Sequence, residues 1–152
     1  MSSADNKIIQ FWAQFLPEIK KISNKFNKIK SLPSNGWLGA TSKIIPNVGY
    51  WFNVAEGHAK IMLLIGTGTP DKEVNKQIFD ELDKHRRKIN ACINQELNWR
   101  RMDTNGSSRI SIEINYVDYS QEKDWPKINN FFLECMPKFI TAFDQYLLTI
   151  LI

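Results

Sequence analysis

The apolar residues change period near Trp37, and that change constrains the fold more than any other feature of the sequence. Before it, Ile8, Trp12, Phe15, Ile19, Ile22, Phe26 and Ile29 recur at spacings of four and three, the pattern of a helix with one apolar stripe. Beyond it, Val48, Tyr50, Phe52 and Val54 alternate with Gly49, Trp51, Asn53 and Ala55, which is the period of a strand. A chain that uses both periods has to pack helices on a sheet, so an α+β fold is expected.

The first helix is predicted over residues 5–30, with a kink or brief break where Pro17 removes an N–H. A cluster of turn residues, Ser31 to Gly36, leads into three strands over residues 37–42, 48–55 and 59–65. Pro46-Asn47 and Glu56-Gly57-His58 are read as the turns between them, so the three form a meander. Thr69 is the expected N-cap and Pro70 the first residue of a second helix ending near Asn94. Its apolar stripe is Ile78, Leu82, His85, Ile89 and Cys92, and Lys76, Asp80, Asp83, Lys84 and Arg87 form a charged exterior. Two more strands, residues 96–102 and 108–116, flank the hairpin turn Asp103 to Ser107, with Ile110, Ile112, Ile114 and Tyr116 on one face. Asp124-Trp125-Pro126 opens a final helix carrying Ile128, Phe132, Cys135, Phe139, Phe143, Leu147 and Ile150, with another kink at Pro137. The expected architecture is two-layer α+β: one domain over residues 1–152, with a mostly antiparallel five-stranded sheet packed by three helices in the order α-βββ-α-ββ-α.

Composition bounds the function. The chain has 152 residues, 43% of them apolar and 24% charged, enough to bury a core. Its net charge of +4 resides in residues 1–30, where Lys7, Lys20, Lys21, Lys25, Lys28 and Lys30 face only Asp5 and Glu18. Any long-range attraction for an acidic partner therefore starts in that segment. The N-terminal sequence lacks the apolar core of a secretory signal, and two cysteines suit a reducing compartment, so a cytoplasmic location is expected. The longest apolar run, residues 146–152, is far short of the roughly 18 residues that span a bilayer. No membrane partner is expected.

The residues that could carry chemistry are few. The Gly66 to Thr69 loop runs from strand to helix but lacks the Lys-Ser/Thr of a P-loop and the third glycine of a dinucleotide fingerprint. His85 and Cys92 share a helical face, yet two ligands do not make a metal site. Glu56 with Lys60 and an isolated Glu113 fall short of a nuclease metal motif. No catalytic residue, metal or cofactor is expected. An enzyme reading would require polar groups converging in a pocket. Arg100, Arg101 and Arg109 are the more informative group, because they lie on the last two strands beside Trp99, and basic residues interleaved with aromatics bind phosphate and stack bases. The opposing reading is arginines facing cross-strand acids such as Glu96 or Glu113. Lys21, Lys25 and Lys28, off the apolar stripe of the first helix, would add a weaker attraction. At the other end, Leu147, Leu148, Ile150, Leu151 and Ile152 make a segment apolar on nearly all sides, where a helix ending in solvent should be polar. Burial in the chain's own core or a partner interface accounts for it.

Phe11-Trp12, Trp37-Leu38, Asn75-Lys76-x-x-Phe79-Asp80-x-Leu82, Leu97-x-Trp99-x-Arg101, Ser108-Arg109-Ile110 and Asp124-Trp125-Pro126 occur in an order and spacing that resembles the bacterial family known as domain of unknown function 4268. The resemblance extends over nearly the whole chain. It implies an accessory domain, found alone or behind nuclease-like domains in defence-associated proteins, and transfers no catalytic residue. The third predicted strand departs from the family pattern, with Ile61 to Ile65 where relatives often carry an acid. The element order is also similar to that of two-layer secretion chaperones, which are typically acidic where this chain is basic. The function expected is a non-catalytic binding or accessory domain that contacts nucleic acid in a bacterial nucleic-acid-processing or defence system. The competing expectation is a chaperone-like module that binds protein through the apolar C-terminal helix, and on either reading the chain is expected to be a homodimer.

Overall fold

The computed structural model describes residues 3–66 and 71–150. Helix α1 spans Ser3–Ile22, strands β1 and β2 span Trp37–Thr41 and Val48–Ile65, and helices α2 and α3 span Lys72–Asp83 and Arg86–Ile93. Strands β3 and β4 follow at Asn98–Arg100 and Ser108–Asp118, and helix α4 runs over Trp125–Leu147. Short 3₁₀ turns occupy Asn24–Phe26 and Glu122–Asp124. The strands form one antiparallel sheet in the order β1-β2-β4-β3, so β1 and β3 are its edges.

The α+β class with an antiparallel sheet is as the apolar periods predict, but the elements are four strands and four helices rather than five and three. The expected turn at Glu56-Gly57-His58 does not reverse the chain. Instead β2 runs through it, and the alternation of its buried positions changes from Val48, Tyr50, Phe52 and Val54 to Ala59, Ile61, Leu63 and Ile65, with Asn53 and Met62 buried as well. A switch from even to odd positions takes one extra residue, as in a bulge. Gly57, at φ +102° with open space where a Cβ would lie, allows it. The predicted second helix is two helices, broken at Lys84 and His85. The His85 backbone leaves helical geometry at φ −110°, ψ 15°, and its ring stacks on Tyr146 at 4.2 Å. Thr69 and Pro70 lie outside the described residues; the cap of α2 is Asp71, whose carboxylate accepts the Val74 N–H at 3.1 Å.

Helix α1 stops at Ile22 because Ser23 is extended and its hydroxyl caps the 3₁₀ turn, accepting the Lys25 N–H. That turn still buries Phe26, so the apolar spacing outlasts the helix. Neither Pro17 nor Pro137 interrupts its helix. The carbonyl that Pro17 leaves without an N–H belongs to exposed Ala13, where water can reach it.

The chain divides into two compact units. One comprises residues 1–40, 51–61 and 113–137. Its core is an aromatic cluster in which Phe52 lies 4.9 Å from Phe15, 5.2 Å from Phe26 and 4.8 Å from Phe132. Edge-on and tilted pairs of this kind add about 1 kcal/mol each to simple burial. The other comprises residues 41–50, 62–112 and 138–152, and buries Ile78, Leu82, Ile89, Ile110, Phe139 and Phe143. In it the Tyr50 hydroxyl donates to Asp144 at 2.5 Å, and burial, followed by that carboxylate, raises the tyrosine pKa well above its ordinary value.

Candidate binding hairpin

In the second unit, one turn of α2 organises the β3–β4 hairpin. Asn75 is fully buried; its amide donates to the Gly106 carbonyl at 2.8 Å and accepts from Asn47 at 2.8 Å. Lys76 is only 6% exposed. Its ammonium donates to the carbonyls of Arg101 (2.5 Å), Met102 (2.9 Å) and Ser107 (2.7 Å) and to the Ser108 hydroxyl (3.0 Å). Burial, helped by the nearby Arg101 charge, lowers its pKa from the usual lysine value, while Asp103 and Asp80 oppose the shift. Four acceptors and no donor around the nitrogen suit the protonated form. Lys76 therefore belongs to the interior and not to the charged exterior expected from helical spacing.

The rest of the motif faces the same hairpin. Phe79 meets the Trp99 ring edge-on at 6.1 Å, and Leu82 is buried. Asp80 accepts from both Nε and Nη2 of Arg101, at 2.9 and 3.1 Å. The hairpin in turn departs from strand geometry early. Met102 is left-handed at φ +58°, and the carbonyls of residues 101 and 102 turn to Lys76. Pairing therefore ends at Arg100, and β3 has three residues where seven were expected.

Trp99 is an internal anchor. Its indole N–H donates to Asn90 Oδ1 at 3.1 Å, its ring packs on Phe143 at 6.0 Å, and the Arg86 guanidinium covers it at 5.0 Å. Arg101 is held by Asp80 and by Asp103 at 2.5 Å, and both bonds raise its pKa further. These two residues, expected as stacking surface and phosphate contact, are committed to the fold.

Arg100 and Arg109 are not. They are direct cross-strand partners, flanked by the pair Trp99–Ile110 that points to the opposite face. Among the described residues neither has an ion-pair or hydrogen-bond partner, and the Nε of half-buried Arg109 is sealed from water with no acceptor. Like charges directly opposite on a sheet repel. An anion between them would remove that repulsion and accept several N–H groups at once.

The remaining expected residues are dispersed. Lys21 pairs with Glu18 at 3.2 Å, Lys25 lies in the 3₁₀ turn, and Lys28 is exposed. Leu147 ends α4 fully buried; Leu148 is 67% exposed and Ile150 half-buried, while Leu151 and Ile152 lie outside the described residues. His58 contacts Asn53 Oδ1 at 3.3 Å, and Cys92 is exposed. Among the described residues, no three His, Cys, Asp or Glu side chains are placed to share a metal, and no helix is long and apolar enough to cross a membrane.

Sequence reasoning did not foresee the role of Asn75-Lys76. An amide beside a lysine at the start of a helix is the only local signal, and it fits a solvated face equally well. It assigned no binding role to Trp37 or Trp51, whose rings meet at 6.4 Å. No curated protein and no solved structure matches the chain. The family model described as Domain of unknown function (DUF4268) matches residues 9–147, and with so much of its length covered the chain belongs to that family.

Proposed function

We propose that the protein is a non-catalytic, cytoplasmic binding module that contacts nucleic acid phosphates through Arg100 and Arg109, as an accessory part of a bacterial nucleic-acid-processing or defence system. The observation that supports this reading is the unneutralised cross-strand arginine pair, with one Nε buried and lacking an acceptor. The hairpin that carries it is held from behind by Asn75, Lys76 and Asp80, so the two guanidiniums are presented on a rigid element. Lysines of the first 30 residues add long-range attraction.

The test is equilibrium binding to labelled nucleic acid across a salt series, with the double variant Arg100→Ala, Arg109→Ala alongside. The two arginine contacts contribute about −2 to the slope of the logarithm of affinity against the logarithm of salt, and the variant loses that share. Absence of binding at low salt would sink the proposal. Leu148, 67% exposed just after α4, favours a second reading, a homodimer or protein-binding surface at that end. Sedimentation of wild type and Leu148→Asp tests it: a concentration-dependent dimer lost in the variant supports it, and a monomer in both removes it.

A further inference from the structure

Trp37 and Trp51 form a fastened aromatic corner in the first unit. Trp51 on β2 lies across Gly39 of β1 so closely that a Cβ on that glycine would fall 2.2 Å from the indole ring. Trp37, two residues earlier on the same edge strand, meets Trp51 at 76° with ring centroids 6.4 Å apart and remains 39% exposed. Its stem is held at several points. The Trp37 N–H donates to Asn35 Oδ1 at 3.0 Å, the Trp12 indole N–H to the Asn35 carbonyl at 2.8 Å, and the Val54 N–H and Asn53 amide to the Gly36 carbonyl at 2.9 and 3.0 Å. A Cβ at Gly36 would collide with the Val54 carbonyl at 2.2 Å. An exposed indole held this firmly loses little entropy on making a contact, which is the condition for a strong one.

Charge selects the occupant. Within this unit, the chain leading into Trp37 carries Lys20, Lys21, Lys25, Lys28 and Lys30, while Glu18 is paired with Lys21 and Glu56 follows the Trp51 segment. Lys28 and Lys30 are exposed, lie on the chain leading into Trp37, and have no ion pair among the described residues. An exposed indole on a segment with unpaired lysines suits a polyanion with planar rings. In a duplex those rings are stacked on each other, whereas in a single strand they are free to stack on protein.

We propose that the Trp37–Trp51 corner stacks an unpaired base of single-stranded nucleic acid, with Lys28 and Lys30 near its phosphates. This rests on the nucleic-acid reading above and adds a preference for single strands. It also moves the stacking surface from Trp99, which is internal, to the edge strand.

The experiment compares an oligothymidylate of about 12 nucleotides with a duplex of the same length, using the whole chain, its intrinsic fluorescence and the variants Trp37→Ala, Trp37→Phe and Arg100→Ala, Arg109→Ala. Stacking is worth enough per base that Trp37→Ala should weaken single-strand binding by about tenfold while changing duplex binding less than about twofold. Trp37→Phe should keep most of the single-strand affinity, and wild-type fluorescence should be quenched by the single strand only. Unchanged single-strand binding in Trp37→Ala, with loss in the arginine variant, overturns the stacking site and leaves the phosphate reading standing. No wild-type binding to either probe overturns both. Salt-insensitive self-association lost in Trp37→Ala would assign the corner to a second copy of the chain and likewise overturn the proposal.

Discussion

Lys76 shows how one buried charge can be more useful to a small hairpin than any apolar residue of the same length. Its ammonium donates to three carbonyls and one hydroxyl of the hairpin turn, beside the Ser108 hydroxyl bond to the Arg101 carbonyl and the Asn105 N–H bond to the Met102 carbonyl, and buried acceptors that lose a donor are costly. Lys76→Met keeps the stem and removes the donors, so it should destabilise the protein by about 3 kcal/mol. Urea unfolding monitored by circular dichroism measures this, and a loss below about 1 kcal/mol would mean that water replaces the ammonium readily. Lysine is otherwise the residue most expected on a helix exterior. Helical spacing assigned it there because a period reports which side of α2 a residue occupies, and says nothing of whether the chain returns later to cover that side.

At the scale of elements, β2 and β4 both change face partway along. In β4 the buried residues pass from Ile110 and Ile112 to Val117, with Tyr119 buried just beyond the strand, and between them Tyr116 is 95% exposed at φ +62°. The expected outward-to-inward alternation ending on Tyr116 therefore fails by one residue. Left-handed geometry costs a bulky residue about 1 kcal/mol, and asparagine tolerates it better. Tyr116→Asn should accordingly raise stability by about 0.5 kcal/mol, visible as a small increase in thermal midpoint. A decrease would show that the exposed ring makes a stabilising contact. Local chemistry did reveal that something happens at residues 56–58 of β2, since Glu-Gly-His suits a turn. It suits a bulge as well, and only the partner strand distinguishes the two.

For the whole molecule, the uneven charge is the property through which the proposed binding would act at a distance. With the excess confined to residues 1–30, Lys28→Gln, Lys30→Gln should slow association with a single strand about threefold at low salt and leave the difference near zero in high salt. Stopped-flow mixing at two ionic strengths measures it; an equal effect at both would indicate a short-range contact rather than attraction at a distance. The sequence by itself determined the α+β class, the hairpin at residues 103–107, the family and most aromatic and aliphatic residues of the interior, Ile22 and Tyr116 being exposed instead, because these follow from spacing along the chain and from turn chemistry. The tertiary structure decided which polar residues serve the fold and which remain available. Lys76 meets its acceptors 25 to 32 positions away and Arg101 meets Asp80 at a separation of 21, whereas Arg100 and Arg109 are brought side by side without a counter-charge. Such partnerships depend on where the hairpin lands against α2, and no local period in the sequence records that.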